Sequence, residues 1–243
     1  MSDNPIEPWR REIDQNEFFY VQKDNYDEHV ELAIPLYREM HQEMVRILRS
    51  KENIVPWTTL DLGSGTGKTS AAILSSFSVA RLDAMELFDS MQRHAEERLR
   101  KNADRVRFLT GDFMELPFDG PYDVCVSALA IHHQRPAGKQ FLFRKIHDAL
   151  APGGIFIMID WTNFSDPTSN ELAFQSACDT VLTNVRDDVI IGNWIEHWRT
   201  KNIPNTVEDQ CQWLRLAGFD NVEVILRFWG MAMLVARKPA RKE

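Results

Sequence analysis

Apolar residues along the chain fall first into a helical rhythm and then into alternating strand and helix segments. In "YDEHVELAIPLYREMHQEMVRILRS" (26–50), Leu32, Leu36, Met40, Met44, Ile47 and Leu48 follow helical spacing and make one apolar stripe. Pro35 lacks a backbone donor and predicts a kink or a fresh start within it. Residues 1–50 are read as an N-terminal helical lid and 51–243 as the main domain. From about residue 57, short apolar strands ("WTTLDL", "VARLDAME", "VRFLTGD", "YDVCVSAL", "IFIMIDW") alternate with helical segments ("KTSAAILSSF", "SMQRHAEERLRKNA", "GKQFLFRKIHDAL"). "APGG" is expected to close the last of these helices. Such alternation predicts a parallel sheet flanked by helices. The rhythm breaks after Trp161. A helical insert at about 165–205 precedes a helix near 206–217 and two strands, "NVEVILRF" and "GMAMLVARK", close enough to pair antiparallel.

The turn after the first strand, "LDLGSGTGKTS" (60–70), carries the first chemical signal. It ends like a phosphate-binding P-loop, but that motif needs a glycine at position 62, which is Leu. The dinucleotide fingerprint needs a third glycine at position 68, which is Lys. What stands there is Asp61 followed by Gly63, Gly65 and Gly67, between a strand and a helix. Glycines let the backbone approach a ligand and turn sharply. An adjacent carboxylate suits a cationic ligand and repels a pyrophosphate. Lys68 and Thr69 are then expected in the first helical turn, with Lys68 solvated.

Two further carboxylates fall at the ends of the next strands: Glu86, 19 residues after Gly67, and Asp112 in Gly111-Asp112-Phe113. Asp83 competes with Glu86, but Met91 and Ala95 follow Glu86 at five and nine residues. Three acids at successive strand ends lie on the edge where open α/β sheets bind ligands.

In these motifs the chain resembles the class I S-adenosylmethionine-dependent methyltransferases over about residues 26–238. The resemblance implies a Rossmann-like α/β fold, a seven-stranded, mainly parallel sheet with an antiparallel last strand and an N-terminal helical lid. It implies S-adenosyl-L-methionine as cofactor, held by Asp61, Gly63, Ser64, Gly65 and Gly67. Glu86 would take the ribose hydroxyls, with Leu87 and Met91 beside it. Gly111 and Asp112 would meet the adenine amino group and Phe113 its ring. Ser127, Ala128 and Leu129, and Tyr26 from the lid, would border the same ligand.

The fourth strand leads into "SALAIHHQ", similar to the acceptor side of many small-molecule methyltransferases. His132 and His133 are candidate bases for an acceptor proton, and Asp160, ending the fifth strand, could orient one of them. Trp161, Trp194 and Trp198 could wall an apolar pocket, with core packing favoured for Trp194. Arg199 reads as a surface residue. "YD…IPLY" and the C-terminal segment are similar to the carboxy-S-adenosylmethionine synthase subgroup, which acts in tRNA modification. No arginine here can be assigned to hold that cofactor's carboxylate. Methyl transfer to an O or N atom, with C less favoured, of a small molecule is therefore the primary expectation. A cofactor-modifying enzyme and a non-catalytic S-adenosylmethionine-binding protein are the alternatives.

Composition narrows this only at its edges. With 44% apolar and 26% charged residues the chain is an ordinary globular one. Its net charge of −8 weighs against nucleic acid as a partner. No apolar run reaches membrane-span length, and "MSDNPIEPWRREIDQNEFF" does not read as a secretory signal. Cys125, Cys178 and Cys211 are far apart and read as free thiols of a cytoplasmic protein. No Cys/His spacing points to a metal. The aromatic-rich insert is a candidate homodimer interface.

Overall fold

A computed structural model of the chain describes residues 26–49 and 56–240. The elements are α1 (Tyr26–Ala33), α2 (Tyr37–Leu48), β1 (Trp57–Leu62), α3 (Lys68–Ser76), β2 (Val79–Glu86), α4 (Asp89–Leu99), β3 (Val106–Thr110) and β4 (Tyr122–Ala128). They continue with α5 (Pro136–Ala149), β5 (Leu150–Trp161), α6 (Pro167–Asn184), α7 (Asp188–Thr200), α8 (Val207–Leu216), β6 (Asn221–Phe228) and β7 (Met231–Arg237).

The seven strands form one sheet in the order β3-β2-β1-β4-β5-β7-β6. β7 runs antiparallel to both β5 and β6, and the other pairings are parallel. From β1 the chain winds outward through β2 and β3, then returns to place β4 on the other side. The strand order therefore reverses between β1 and β4, and the crevice outside their carboxyl ends is where such sheets take ligands.

Strand alternation builds two cores. Val124, Val126, Ile155, Ile157, Ile159, Met231, Met233 and Val235 face one layer, with α1, α2, α3 and the insert helices. Leu60, Leu62, Cys125, Phe156, Met158, Ala232 and Leu234 face the other, with α5 and α8. Successive side chains of a strand point to opposite faces, so Asp61, between Leu60 and Leu62, is directed to the α3 side.

The break between α1 and α2 falls where Pro35 places it, with Leu36 in a left-handed conformation at φ 56°. Val30, Ala33, Met40, Met44 and Leu48 bury the stripe. The insert is two helices, each started by an aspartate: Asp166 accepts from Ser169 N at 2.7 Å, and Asp187 from Val189 N at 2.9 Å and Ile190 N at 3.0 Å. "APGG" does more than close α5. It begins β5, where the register with β4 shifts between Tyr122 and Val124 and Gly153 takes a φ of 74°.

Trp194 and Trp198 of the insert are buried within the chain. The aromatic side chains proposed above for a homodimer interface thus face inward, because α7 turns its apolar face to the sheet. No helix among the described residues is long and apolar enough to cross a membrane.

Candidate active site

The glycine loop is shaped by close packing as much as by any ligand. Gly63, Gly65 and Gly67 all have left-handed φ values, 69°, 55° and 79°. A Cβ on Gly63 would lie 2.3 Å from Ala130 Cβ, and one on Gly67 would lie 3.0 Å from Ala95 Cβ. Loop amides Gly63 N and Ser64 N both donate to Met85 O at 2.9 Å, joining the loop to the end of β2.

Glu86 completes that junction. Its carboxylate accepts from Gly65 N at 2.9 Å and from Phe88 N at 3.0 Å. Burial raises its pKa, against the lowering effect of the backbone N–H groups of Phe88, Gly65 and Leu87. Asp83 points elsewhere. It binds Arg107 through both oxygens, at 3.1 and 2.7 Å, and accepts from Tyr122 Oη at 2.6 Å.

Above the loop lies a cleft of about 880 Å³, counting its open mouth. Tyr26, Gly63, Ser64, Gly65, Glu86, Leu87, Met91, Asp112, Phe113 and Ala128 line it. Leu129 and Gln134 from "SALAIHHQ", Tyr37 from "IPLY", and Phe88, which no motif marked, line it as well. Burial, then the charges of Glu86 and Asp27, raises the pKa of Tyr26, so its hydroxyl stays protonated.

Four residues expected at the cofactor, Asp61, Gly67, Gly111 and Ser127, do not reach the cleft. Asp61 is fully buried beneath α3, where it accepts from Ser70 Oγ at 2.6 Å and its Oδ1 has no hydrogen-bond partner. Gly67 is turned to Ala95 and Leu99 of α4. Gly111 serves through its backbone, donating to Glu86 O at 2.8 Å.

Burial, with the charge of Glu86 adding to it, pushes the Asp61 pKa up to about 7 from an ordinary 3.8. The folded state therefore favours the neutral acid. Its stabilising effect is complete below about pH 4 and is lost as pH rises through about 7. Asp61→Asn cannot ionise, so its stability relative to the natural protein should rise between pH 5 and pH 8. Urea unfolding at several pH values checks this, and parallel stability curves for the two proteins would refute it. Glu86 acts in the same sense but is present in both and cancels.

Lys68 is not solvated as expected. Its Nζ donates to Asp27 O at 3.0 Å and pairs closely with Glu31. Thr66 Oγ1 donates to Asp27 Oδ1 at 2.6 Å, Arg98 pairs with Asp27, and Thr69 Oγ1 lies 3.2 Å from His41 Nε2. The segment that mimics a P-loop ties α1 and α2 to the glycine loop.

A second cavity adjoins the first and shares Tyr26, Leu129 and His133 with it. Trp161, Trp194, Trp198 and Ile34 form its apolar wall, and His132 and His197 line it too. Leu129 has a φ of 57°, a conformation costing a non-glycine residue about 1–3 kcal/mol. Its N–H bond to Ile159 O, at 2.9 Å, helps hold it there.

Of the three residues expected to be catalytic, only His133 faces both cavities. His132 is buried, its Nδ1 paired with Asp160 Oδ1 and its backbone N donating to Asp160 Oδ2 at 2.8 Å. Asp160 lines neither cavity; its carboxylate is taken up by His132 and by the backbone N–H of Trp161. Arg199 is exposed, its guanidinium 4.9 Å from the Phe174 ring centre.

Comparisons with known proteins bear on the domain and on the fold. Residues 59–154 match the family model described as a methyltransferase domain. Carboxy-S-adenosyl-L-methionine synthase from Nautilia profundicola is 24% identical over 217 residues, 88% of this chain and 90% of that one. A candidate O-methyltransferase structure from Nostoc punctiforme superposes with a TM-score of 0.63 at 19% identity, over 88% of this chain and 61% of the longer one. The CurJ carbon methyltransferase superposes with a TM-score of 0.66 at 18% identity, over 94% of this chain and 62% of that one.

Residues 59–154 are thus a methyltransferase domain, and the sheet that carries it has the strand order of the class I S-adenosylmethionine-dependent methyltransferase fold, with S-adenosyl-L-methionine as the methyl donor. Within that class it is a distant homologue of the carboxy-S-adenosyl-L-methionine synthases.

Proposed function

We propose that the protein transfers the methyl group of S-adenosyl-L-methionine to an oxygen or nitrogen atom of a small molecule, leaving S-adenosylhomocysteine. The observation that carries this is the pair of adjoining cavities sharing Tyr26, Leu129 and His133. In this reading the cofactor occupies the glycine-loop cleft, with its ribose on Glu86 and its adenine between Asp112 and Phe113. The acceptor occupies the tryptophan-walled cavity. His133 meets the acceptor atom at the junction, and Asp160 fixes the His132 ring beside it as a positioning residue. Alignment of two bound reactants supplies much of the rate in such a displacement. The acceptor cavity, about 440 Å³ with its mouth, is of small-molecule size.

Calorimetry with S-adenosylhomocysteine, followed by turnover against a small-molecule acceptor library, tests the reading. Tight binding of NAD with no binding of S-adenosylhomocysteine would sink it, and cofactor binding without any turnover would favour a non-catalytic binding protein.

The similarity to carboxy-S-adenosyl-L-methionine synthase supports a second reading, in which the cofactor itself is modified. A carboxylate added to the cofactor calls for a cationic partner; among the described residues no arginine lines either cavity, and the lysine that does, Lys68, is paired with Glu31. That favours plain methyl transfer. Mass spectrometry of the co-purified ligand separates the two: a mass of S-adenosylmethionine plus a carboxylate would select the second.

In the proposed role α1 and α2 are a lid, and Asp27 is its latch to Thr66 and Arg98. Asp27→Ala should loosen α1 by roughly 1 kcal/mol, about fivefold in its opening equilibrium. Amide hydrogen exchange over residues 26–33 should accelerate accordingly, while exchange in β4 and β5 stays unchanged. Equal acceleration in both regions would mean global destabilisation and no latch.

A further inference from the structure

The fold brings together three histidines that the sequence keeps 64 residues apart. His132 and His133 lie in the turn after β4, and His197 lies on α7. One ring nitrogen from each falls within 4.8 Å of the other two. The His132 and His133 ring centres are 4.0 Å apart, and His197 meets His133 edge-on at 5.3 Å. We propose that these three imidazoles form a binding site for a divalent transition-metal ion, at the junction of the cofactor cleft and the tryptophan-walled cavity.

The surroundings of the rings support this beyond their proximity. The Nδ1 of His132 is held by the Asp160 carboxylate, which is itself fixed by the backbone N–H groups of His132 at 2.8 Å and Trp161 at 2.9 Å. A carboxylate on Nδ1 sets the tautomer that leaves the Nε2 lone pair for a cation and fixes the orientation of the ring. The Nδ1 of His133 faces Lys201 O at a longer 3.4 Å, the same arrangement with a backbone carbonyl. The turn is further anchored by Ile203 N, which donates to His132 O at 2.9 Å. An ion bound at about 2.0–2.1 Å by each nitrogen sets the nitrogens about 3.3 Å apart. Side-chain rotation of His133 and His197, both half-buried, would close the present spacing.

Three neutral ligands leave a cation its full charge and at least one open position, the pattern of a reactive zinc site and not of a structural one. Imidazole donors suit Zn²⁺, and also Fe²⁺, Ni²⁺ or Cu²⁺. The open position would face a cavity with an apolar wall, where an ion strengthens its hold on an oxygen ligand. The acceptor class this favours is a small molecule with an ionisable hydroxyl, and this part rests on the methyl-transfer reading above. Bound to the ion, the hydroxyl loses its proton to water. The oxygen lone pair then forms the bond to the methyl carbon as the carbon–sulfur bond breaks, its electron pair staying on sulfur. The ion would take the place of a histidine base.

The test uses the full untagged chain, stripped by chelator. Titration with Co²⁺, read by its visible absorption, and with Zn²⁺, read by calorimetry, should show one ion per chain. His197→Ala and His133→Ala should each weaken binding at least 100-fold, and Asp160→Asn should weaken it about 10- to 100-fold. Circular dichroism and the S-adenosylhomocysteine affinity of His197→Ala, whose site lies outside the cofactor cleft, show that the fold persists. Equal Co²⁺ binding by the natural protein and both histidine variants overturns the proposal, as does no binding at all. S-adenosylhomocysteine binding without cation binding defeats this inference alone. Cation binding without S-adenosylhomocysteine binding supports the metal site while defeating the methyl-transfer reading.

Discussion

Replacing Glu86 with alanine should weaken S-adenosylhomocysteine binding about 10- to 100-fold, the loss expected when charge-assisted hydrogen bonds of about 1.5–3 kcal/mol each are removed. Glu86 sits at the end of β2 and, among the described carboxylates lining the cleft, is the one that holds the glycine loop, through Gly65 N, while its other oxygen accepts from Phe88 N. The alanine variant therefore removes two things at once: the partner for ribose hydroxyls and the brace of the loop. Glu86→Gln separates them, because an amide oxygen still accepts from a backbone N–H while the charge is gone. Loss of affinity in both variants assigns Glu86 to the ribose. A loss confined to alanine assigns it to loop geometry. Unchanged calorimetric affinity in both would move the ribose contact to another residue.

The larger structural effect is expected at Gly63. Gly63→Ala must place a Cβ where Ala130 Cβ is only 2.3 Å away, at a φ of 69°. Left-handed backbone costs an L-residue roughly 1–2 kcal/mol, and overpacking typically adds about 1–3 kcal/mol. A loss of about 2–5 kcal/mol of stability should follow, visible as a lower urea midpoint with an unchanged slope, together with lost S-adenosylhomocysteine binding. The double variant Gly63→Ala/Ala130→Gly should recover the packing part but not the backbone part, so rescue should be partial. A midpoint for Gly63→Ala equal to that of the natural protein would show that Ala130 and the loop part easily, and that the glycine is kept for the ligand alone.

Both predictions come from one loop, and that loop shows which kinds of information each level holds. The alternate glycines, the strand before them and the helix after them were readable because they obey local rules: side-chain-free positions where φ is positive, period-two apolarity, helical spacing. The same rules placed Glu86, Asp112 and Phe113 at strand ends, and the structure sets all three around one cleft. They did not show that Asp61 is sealed against Ser70, because the face a strand residue takes depends on what its neighbours bury. Nor did they show that Lys68 and Thr69 hold α1 and α2, since those contacts span 28 to 41 residues.

The acceptor side was the least legible for the same reason. His132 and His133 were visible as a pair, but nothing local distinguishes the ring that faces a cavity from the one locked to Asp160. His197 joins them because α7 packs its apolar stripe, Ile190, Ile191, Trp194 and Trp198, against the core, and His197, between the two tryptophans, then meets His133 in the turn after β4. The sequence by itself determined the layered α/β architecture and the ligand edge, since periodicity and glycine placement act over a few residues, and the resemblance of its motifs to a known family implied the cofactor. Only the tertiary structure decided which carboxylates face the ligand, how the helices at the N-terminal end are tied down, and that three histidines meet. Those outcomes depend on the burial of distant surfaces against one another, which no local spacing encodes.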